Sequence, residues 1–227
     1  MKSRSTLALC IPRSVSCVLL VAALCFTSIT SSSAALLTTG SVLFPAPAGP
    51  NVGGGLVAGP LVKTFSTSTF SGVLTSEVFT NDPTNPFGLT DMTFVYQILN
   101  TSPQPLDDIA RMTVGSFSGY LTDVVFVAGT GTLAPAYFDR PTDSTVGISF
   151  APAPLGSGVI LQSESSDVLI IHTNATTFHF NTASLIDSTT TNPGPQTYAP
   201  IGTPEPSTFV LAAMAVLGLL AIARRRK

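Results

Sequence analysis

The chain has 227 residues and a mass of 23.4 kDa, enough for one ordinary domain with accessory segments. Only 10% of its residues are charged, 44% are hydrophobic and the mean hydropathy is +0.45, which disfavours both a disordered polypeptide and a typical cytosolic protein. Between the two ends, three basic residues stand against eleven acidic ones, a formal charge of −8. Because nucleic-acid binding requires the opposite sign, we expect no nucleic-acid partner.

Residues 1–35 have the order of a secretory signal peptide. A short basic region precedes an apolar core over 15–26, and small residues follow, with Ala34 and Ala35 at the predicted signal-peptidase cleavage site. The apolar core is too short for a comfortable membrane span, and the alternative is a buried N-terminal helix. All three cysteines lie in this segment, so we predict a mature protein without disulfides or thiolate chemistry.

The middle of the chain reads as strands. Residues 36–60 are rich in Gly, Pro and Ala and are interpreted as an extended lead-in with room for one strand. Over 61–186, short runs of β-branched and aromatic residues recur between turn residues, and they show no sustained helical repeat. The best of these runs are 69–80, 92–100, 109–117, 120–128, 146–150, 159–162, 167–173 and 177–181. This pattern predicts an all-β domain, an antiparallel β-sandwich.

In two of these runs, apolar side chains can be assigned to common strand faces. A dense turn signal at 81–86 (NDPTNP) separates the two runs. After the domain, the Thr/Pro/Gly-rich residues 187–202 are interpreted as a stalk that holds it clear of the membrane. Phe70, Leu74 and Val78 share one strand face, and the pattern is compatible with a second face formed by Phe94, Tyr96 and Ile98.

The C-terminal end has three parts in a fixed order. A Pro-Glu-Pro motif precedes a predicted transmembrane helix over 207–223, and four cations end the chain. The fifteen apolar residues from 209 to 223 reach about 22 Å as a helix, a short span for a bilayer core of about 30 Å. The cations act as stop-transfer residues and predict the N-terminus outside and the C-terminus in the cytoplasm; the alternative is a core helix with a basic tail. The residues are Pro204, Glu205 and Pro206 for the motif, and Arg224, Arg225, Arg226 and Lys227 for the tail.

These three parts together resemble the PEP-CTERM sorting signal of exported bacterial proteins, over residues 203–227. The same tail family has also been labelled the ice-binding protein C-terminal domain. The resemblance implies recognition by an exosortase, a membrane-embedded transpeptidase-like enzyme, with cleavage near 204–206. It also implies a bacterial host that makes extracellular polysaccharide, an inner-membrane-anchored precursor, and a destination at the cell surface or in the extracellular matrix.

Reactive side chains are sparse. His172 and His179 each lie on an apolar run and could face each other across a hairpin to bind a metal, although two ligands do not make a site. The favoured interpretation is two hydrogen-bonded histidines on a strand surface. Residues 115–119 (GSFSG) are similar to a nucleophile elbow, but Phe117 occupies the position where a hydroxyl is required.

Two acidic clusters, Asp107-Asp108 and Asp139 with Asp143, are candidates for a calcium site at a loop. The spacing of an EF-hand is absent, and solvated turn carboxylates are the favoured interpretation. No catalytic set is recognisable, so we expect neither an enzyme nor a cofactor nor a metal site. Paired carboxylates assembled by the fold are the remaining route to a hydrolase.

Three functions therefore remain as hypotheses. The first is a non-catalytic, structural protein of the cell surface or matrix. The second is a weak exopolysaccharide-binding module; such sites usually need aromatic platforms, and this chain has no Trp. The third, ice binding, comes from the alternative label of the tail and is disfavoured because the threonines show no repeating rank. The tyrosines available for a platform are Tyr96, Tyr120, Tyr137 and Tyr198.

Overall fold

Runs of β-branched and aromatic residues between turn residues form strands throughout the part of the chain that the structure describes. This computed structural model describes residues 36–48, 52–104, 107–151, 158–187, 191–192 and 194–201, and over these ranges it has twelve strands and no helix. The strands are β1 Val42–Leu43, β2 Gly55–Ser66, β3 Ser71–Thr80, β4 Thr93–Asn100, β5 Arg111–Val114, β6 Thr122–Val127, β7 Tyr137–Thr142, β8 Thr145–Ser149, β9 Val168–Thr173, β10 Phe178–Ile186, β11 Thr191–Asn192 and β12 Gln196–Pro200.

The strands form two sheets. One has five strands in the order β2-β3-β4-β9-β6, and the other has seven, in the order β1-β7-β8-β5-β10-β11 with β12 also paired to β10. All pairings between named strands are antiparallel. The prediction of an all-β, antiparallel architecture is therefore confirmed. Over the described ranges there is also no helix of the length and apolarity that a membrane crossing requires. The predicted signal peptide and C-terminal helix lie outside these ranges.

The inner faces of the two sheets share one apolar core. Alternation along β3 and β4 buries every second side chain, and all six side chains of the two predicted strand faces are buried. The opposite sheet contributes fully buried side chains, among them Met112, Phe138 and Ile148. Burying each large apolar side chain stabilises the fold by about 1.5–3 kcal/mol, so this core is the main source of stability.

The structure differs from the sequence-based prediction in several strands: β2, β7, β11 and β12 lie outside the predicted runs, and one predicted run forms no strand. Residues 159–162 form no strand; Ile160 makes only an isolated bridge to Ile109. Conversely, residues 196–200, which the composition assigned to a stalk, form β12. Tyr198 of this strand packs into the core, and the Tyr96 hydroxyl donates a hydrogen bond to its carbonyl oxygen at 2.7 Å. Burial of this aromatic side chain explains why a Thr/Pro-rich segment is held in a sheet.

Candidate functional site

His172 lies between two carboxyl groups, beneath the loop that joins β3 to β4. The sheet register places it on β9, opposite Asp123 of β6 and Thr93 of β4. Its Nδ1 lies 3.0 Å from Asp123 Oδ2, and its Nε2 lies 3.4 Å from Oδ2 of Asp82, which belongs to the loop. His172 and both aspartates are buried. With a carboxyl group at each ring nitrogen, the imidazole bridges two acids and is not directed at an open site.

The surroundings of this cluster favour its charged form. Burial lowers the pKa of His172, but hydrogen bonds and charge from Asp123 and Asp82 outweigh burial and raise it overall. Burial raises the pKa of Asp82, but hydrogen bonds from His172, Thr84 and Thr93 outweigh it and hold that pKa well below its usual range. The hydroxyl and the backbone N–H of Thr84 donate to Asp82 Oδ1 at 2.7 and 2.9 Å. The two acids therefore favour the protonated imidazole, and the imidazole in turn favours the ionised form of Asp82.

The two histidines do not meet, so the possibility that they share a site across a hairpin is not realised. β9 and β10 belong to different sheets, and the four residues 174–177 lead the chain from one sheet to the other. His179 is exposed on β10, where its Nε2 lies 3.3 Å from the Ser116 hydroxyl oxygen, which also accepts a hydrogen bond from Asn181. The strand-surface interpretation thus holds for His179 and fails for His172. Within the described ranges, no group of three His, Cys, Asp or Glu side chains is placed to hold a metal ion.

The GSFSG stretch is a structural turn between β5 and β6. Phe117, at its centre, is fully buried and packs edge-on against Phe94, with ring centroids 6.2 Å apart. Arg140 of β7 is buried beneath the turn and donates hydrogen bonds to the carbonyl oxygens of Phe117 at 2.8 Å and Tyr120 at 2.9 Å. The same guanidinium reaches the carbonyl oxygen of Leu37 at 3.3 Å. One side chain thereby joins the turn to the segment that precedes β1.

The two predicted acidic clusters have different partners in the structure. Asp139 pairs with Arg111, and Asp143 lies 3.3 Å from Arg140 Nη2 and accepts a hydrogen bond from Ser118 at 2.6 Å. Burial raises the pKa of Asp108, and the charges of Asp187 and Asp107 raise it further. The cluster of Asp139 and Asp143 is therefore engaged by arginines.

The tyrosines differ in exposure and in their aromatic neighbours: Tyr198 stacks on Phe180, whereas Tyr137 lies beside the more exposed Phe44. Tyr96 and Tyr198 are buried, and the Tyr120 hydroxyl donates to the carbonyl oxygen of Ile201 at 2.6 Å. Tyr137 is partly exposed and makes an edge contact with Phe44, whose side chain is 80% exposed. The sequence analysis missed Phe44 because it lies in the Gly/Pro-rich lead-in, where no strand pattern marks it.

Polar groups adjoin this aromatic pair on the outer face of the seven-stranded sheet. The Arg111 guanidinium donates to both oxygens of Asp139, at 2.7 and 2.9 Å, and to the Ser149 hydroxyl at 2.6 Å. Gly147 lies beneath the ion pair, since a Cβ there would overlap the Arg111 and Asp139 side chains. We call this area the aromatic–ion-pair surface, defined by Phe44, Tyr137, Arg111, Asp139, Gly147 and Ser149.

The five-stranded sheet has a different outer face, which is largely apolar. A small second cluster there contains Val95, Val127 and Ile170. An open cavity of about 320 Å³ lies over it. Its lining is mostly aliphatic and aromatic and consists of Val52, Glu77, Phe79, Val95, Val127, Thr130 and Val168.

The fold and these surfaces define an all-β protein with two antiparallel sheets and buried charged clusters. Residues 203–227 match the family model of the PEP-CTERM protein-sorting motif, which confirms the predicted resemblance of the C-terminal tail. The match supports an exported, membrane-passing precursor that is processed by an exosortase-type enzyme. Searches of curated proteins and of solved structures found no significant match. The identification therefore rests on the tail, and the β domain has to be interpreted from its own chemistry.

Proposed function

We propose that this chain is the precursor of a non-catalytic protein of the bacterial cell surface or extracellular matrix. Signal peptidase removes residues 1–35, and the C-terminal helix holds the β domain outside the inner membrane with the C-terminus in the cytoplasm. An exosortase-type enzyme then cleaves near Pro204–Pro206 and passes the domain outward. The observation that carries this proposal is the match of residues 203–227 to the sorting-motif family.

The described side chains support a structural role. The imidazole of His172 is buried with a carboxyl group at each nitrogen, so no substrate reaches it. Asp143 lies at the GSFSG turn and Asp139 on the outer face of the sheet, and both are engaged by arginines. These groups hold loops and strands together, which is what a durable non-catalytic domain requires.

An intact-mass measurement of the mature protein from its native host, with its cell fraction, tests the proposal. We expect a chain that begins near Leu36 and ends near Pro204–Pro206, outside the inner membrane. Glu205→Ala in the motif should leave the chain ending at Lys227 in the membrane fraction, whereas the matched control Glu77→Ala in the β domain should be processed normally. A wild-type chain that still ends at Lys227 in the membrane would contradict the proposal and make the tail a plain anchor.

A weak exopolysaccharide-binding function is the second candidate, because the aromatic–ion-pair surface combines exposed rings with hydrogen-bonding groups. Ice binding gains no comparable support from the described strands. Thr75, for example, is flanked across the sheet by Val62 and Gln97, so no rank of threonines forms there.

A further inference from the structure

We infer that the aromatic–ion-pair surface binds a neutral polysaccharide, with Phe44 and Tyr137 packing against a sugar ring and the Arg111–Asp139 pair bonding its hydroxyl groups. The inference rests on the second candidate function above and on the proposed location outside the cell. It deepens that function by assigning the site and the class of ligand.

The sheet register brings these groups into one row. β1 pairs with β7 in antiparallel fashion, with Leu43 opposite Phe138. The residue after Leu43 therefore lies opposite the residue before Phe138, which places Phe44 beside Tyr137. Tyr137 is in turn paired with Ser149, and Ser149 with Arg111. Because Phe138 and Met112 point into the core, their neighbours Tyr137 and Arg111 point outward.

The aromatic end of the row is open. The Phe44 and Tyr137 ring centroids lie 6.4 Å apart with the ring planes at 62°, so the two rings enclose a corner. A lone exposed apolar side chain is ordinary on a protein surface. This ring is 80% exposed and adjoins an ordered polar group, the combination that small-ligand and saccharide sites use to fix orientation. The C–H groups of a pyranose ring supply the apolar surface that would cover it.

The polar part of the row is ordered and still accessible. The Arg111 and Asp139 side chains are 21% and 18% exposed, which leaves part of each in contact with solvent. A carboxylate has about four acceptor positions, so Asp139 can accept hydroxyl protons while it holds Arg111. Sugar hydroxyl groups donate and accept, so they match both members of the pair. The pair is also anchored from below, where Gly147 leaves the space that both side chains occupy.

Charge selects between classes of polysaccharide. The ion pair contributes no net charge, whereas the region between the chain ends carries three basic against eleven acidic residues. An anionic chain, such as a polyuronate, would therefore be repelled by the domain as a whole. A neutral chain meets no such repulsion, and on this ground we assign the site to neutral polysaccharides.

The test measures binding of the full-length chain in detergent to immobilised hydroxyethyl cellulose, dextran and galactomannan, with alginate as the anionic comparison. We expect binding to at least one neutral polymer and weaker binding to alginate. Phe44→Ala and Tyr137→Ala should each weaken binding about tenfold or more, as expected for aromatic anchors of an interface. Phe180→Ala is the matched control, because Phe180 is 55% exposed but lies on β10, away from the row, and it should bind like wild type.

Melting temperatures of all variants establish that the fold is intact, which the exposure of Phe44 leads us to expect. The inference is overturned if no neutral polymer is bound, or if alginate is bound as tightly as the best neutral polymer. It is also overturned if Phe44→Ala binds like wild type, or if Phe180→Ala loses as much affinity as Phe44→Ala. Because the assay uses purified protein, its failure leaves the intact-mass result untouched, so the two proposals fail separately.

Discussion

Replacement of His172 by Gln should destabilise the β domain strongly. The substitution keeps a polar side chain of similar length but removes the positive charge between Asp82 and Asp123. Asp82 has no exposed surface and Asp123 is 6% exposed, so neither acid can be solvated in place of the lost partner. Because the imidazole and the Asp82 loop lie in contact, the loop between β3 and β4 should loosen first.

The size of the effect follows from the burial of the partners. Removing one member of a buried charged pair costs about 3–5 kcal/mol, since the remaining charge is left uncompensated. Asp82 retains hydrogen bonds from Thr84 and Thr93, which places the expected loss near the lower end, at about 3 kcal/mol. For a domain of 150–250 residues this corresponds to a fall in melting temperature of roughly 6–12 °C.

The dependence on pH gives a second, independent readout. The pKa of His172 is raised in the folded state, so its stabilising contribution is complete below the unfolded value of about 6.5 and is lost as pH rises through the folded pKa. The wild type should therefore lose stability as pH rises above about 6.5 and through the raised pKa of His172, and this loss should be absent in His172→Gln. Asp82 has the opposite sign: its pKa is lowered, so its contribution disappears only in strong acid.

Urea unfolding at pH 6.5 and pH 9.5 measures both effects, with the exposed His179→Gln as the matched control. The double variant His172→Gln with Asp82→Asn should lose less than the sum of the two single variants, because each single change leaves a partner uncompensated. A loss below about 1 kcal/mol for His172→Gln at pH 6.5, where a buried-pair loss is expected, would refute the reasoning. If His172→Gln lost the same free energy of unfolding at both pH values, the stabilisation by a protonated imidazole would be refuted.

Three further substitutions test other contacts by urea unfolding. Arg140→Lys should cost about 2–3 kcal/mol although it keeps the charge, because a lysine cannot reach the several carbonyl oxygens that the guanidinium bonds; a loss no larger than that of Arg111→Lys would contradict this. Gly147→Ala should cost about 1 kcal/mol by displacing the ion pair above it, and the cost should shrink in an Arg111→Ala background; an unchanged cost would place the strain elsewhere. Asn85→Asp should be more destabilising than Asn85→Ala at pH 7, because a carboxylate would face the buried carbonyl oxygens of Met92 and Thr173. Acid should narrow the difference in stability between the two variants, and equal losses at pH 7 would argue against this role of Asn85.

The strands that the sequence predicts are those whose signal is local. Alternation along β3 and β4 and the NDPTNP turn between them depend only on neighbouring residues, and they predict the core faces correctly. β7 escaped prediction because Asp139 and Arg140 make it polar. Their partners are distant in sequence: Arg111 for Asp139, and for Arg140 the backbone carbonyl oxygens of Leu37 and of the turn at 117–120.

The same reason explains what the sequence could not reveal about the candidate sites. His172 is separated from Asp123 by 49 positions, so their contact could not be predicted from the spacing of a motif. The sequence correctly indicates that Asp82 is a turn residue, but only the tertiary fold places its carboxylate beside the imidazole of His172. Phe44 lies outside every strand-like run, and only the pairing of β1 with β7 places it beside Tyr137.

Buried charge and exposed surface serve different ends in this domain. The described ranges contain no cysteine, so covalent cross-links cannot hold the loops there. Arg140 and the His172 cluster supply the connection, because each joins segments far apart in sequence at a buried point. A loop held by a buried charged contact opens at a cost of several kcal/mol, which protects an exported protein from local unfolding. The Arg111–Asp139 pair, by contrast, lies near the surface and keeps partial contact with solvent. Among the described ion pairs it is the one beside the exposed ring of Phe44, which is why the proposed binding site is placed there.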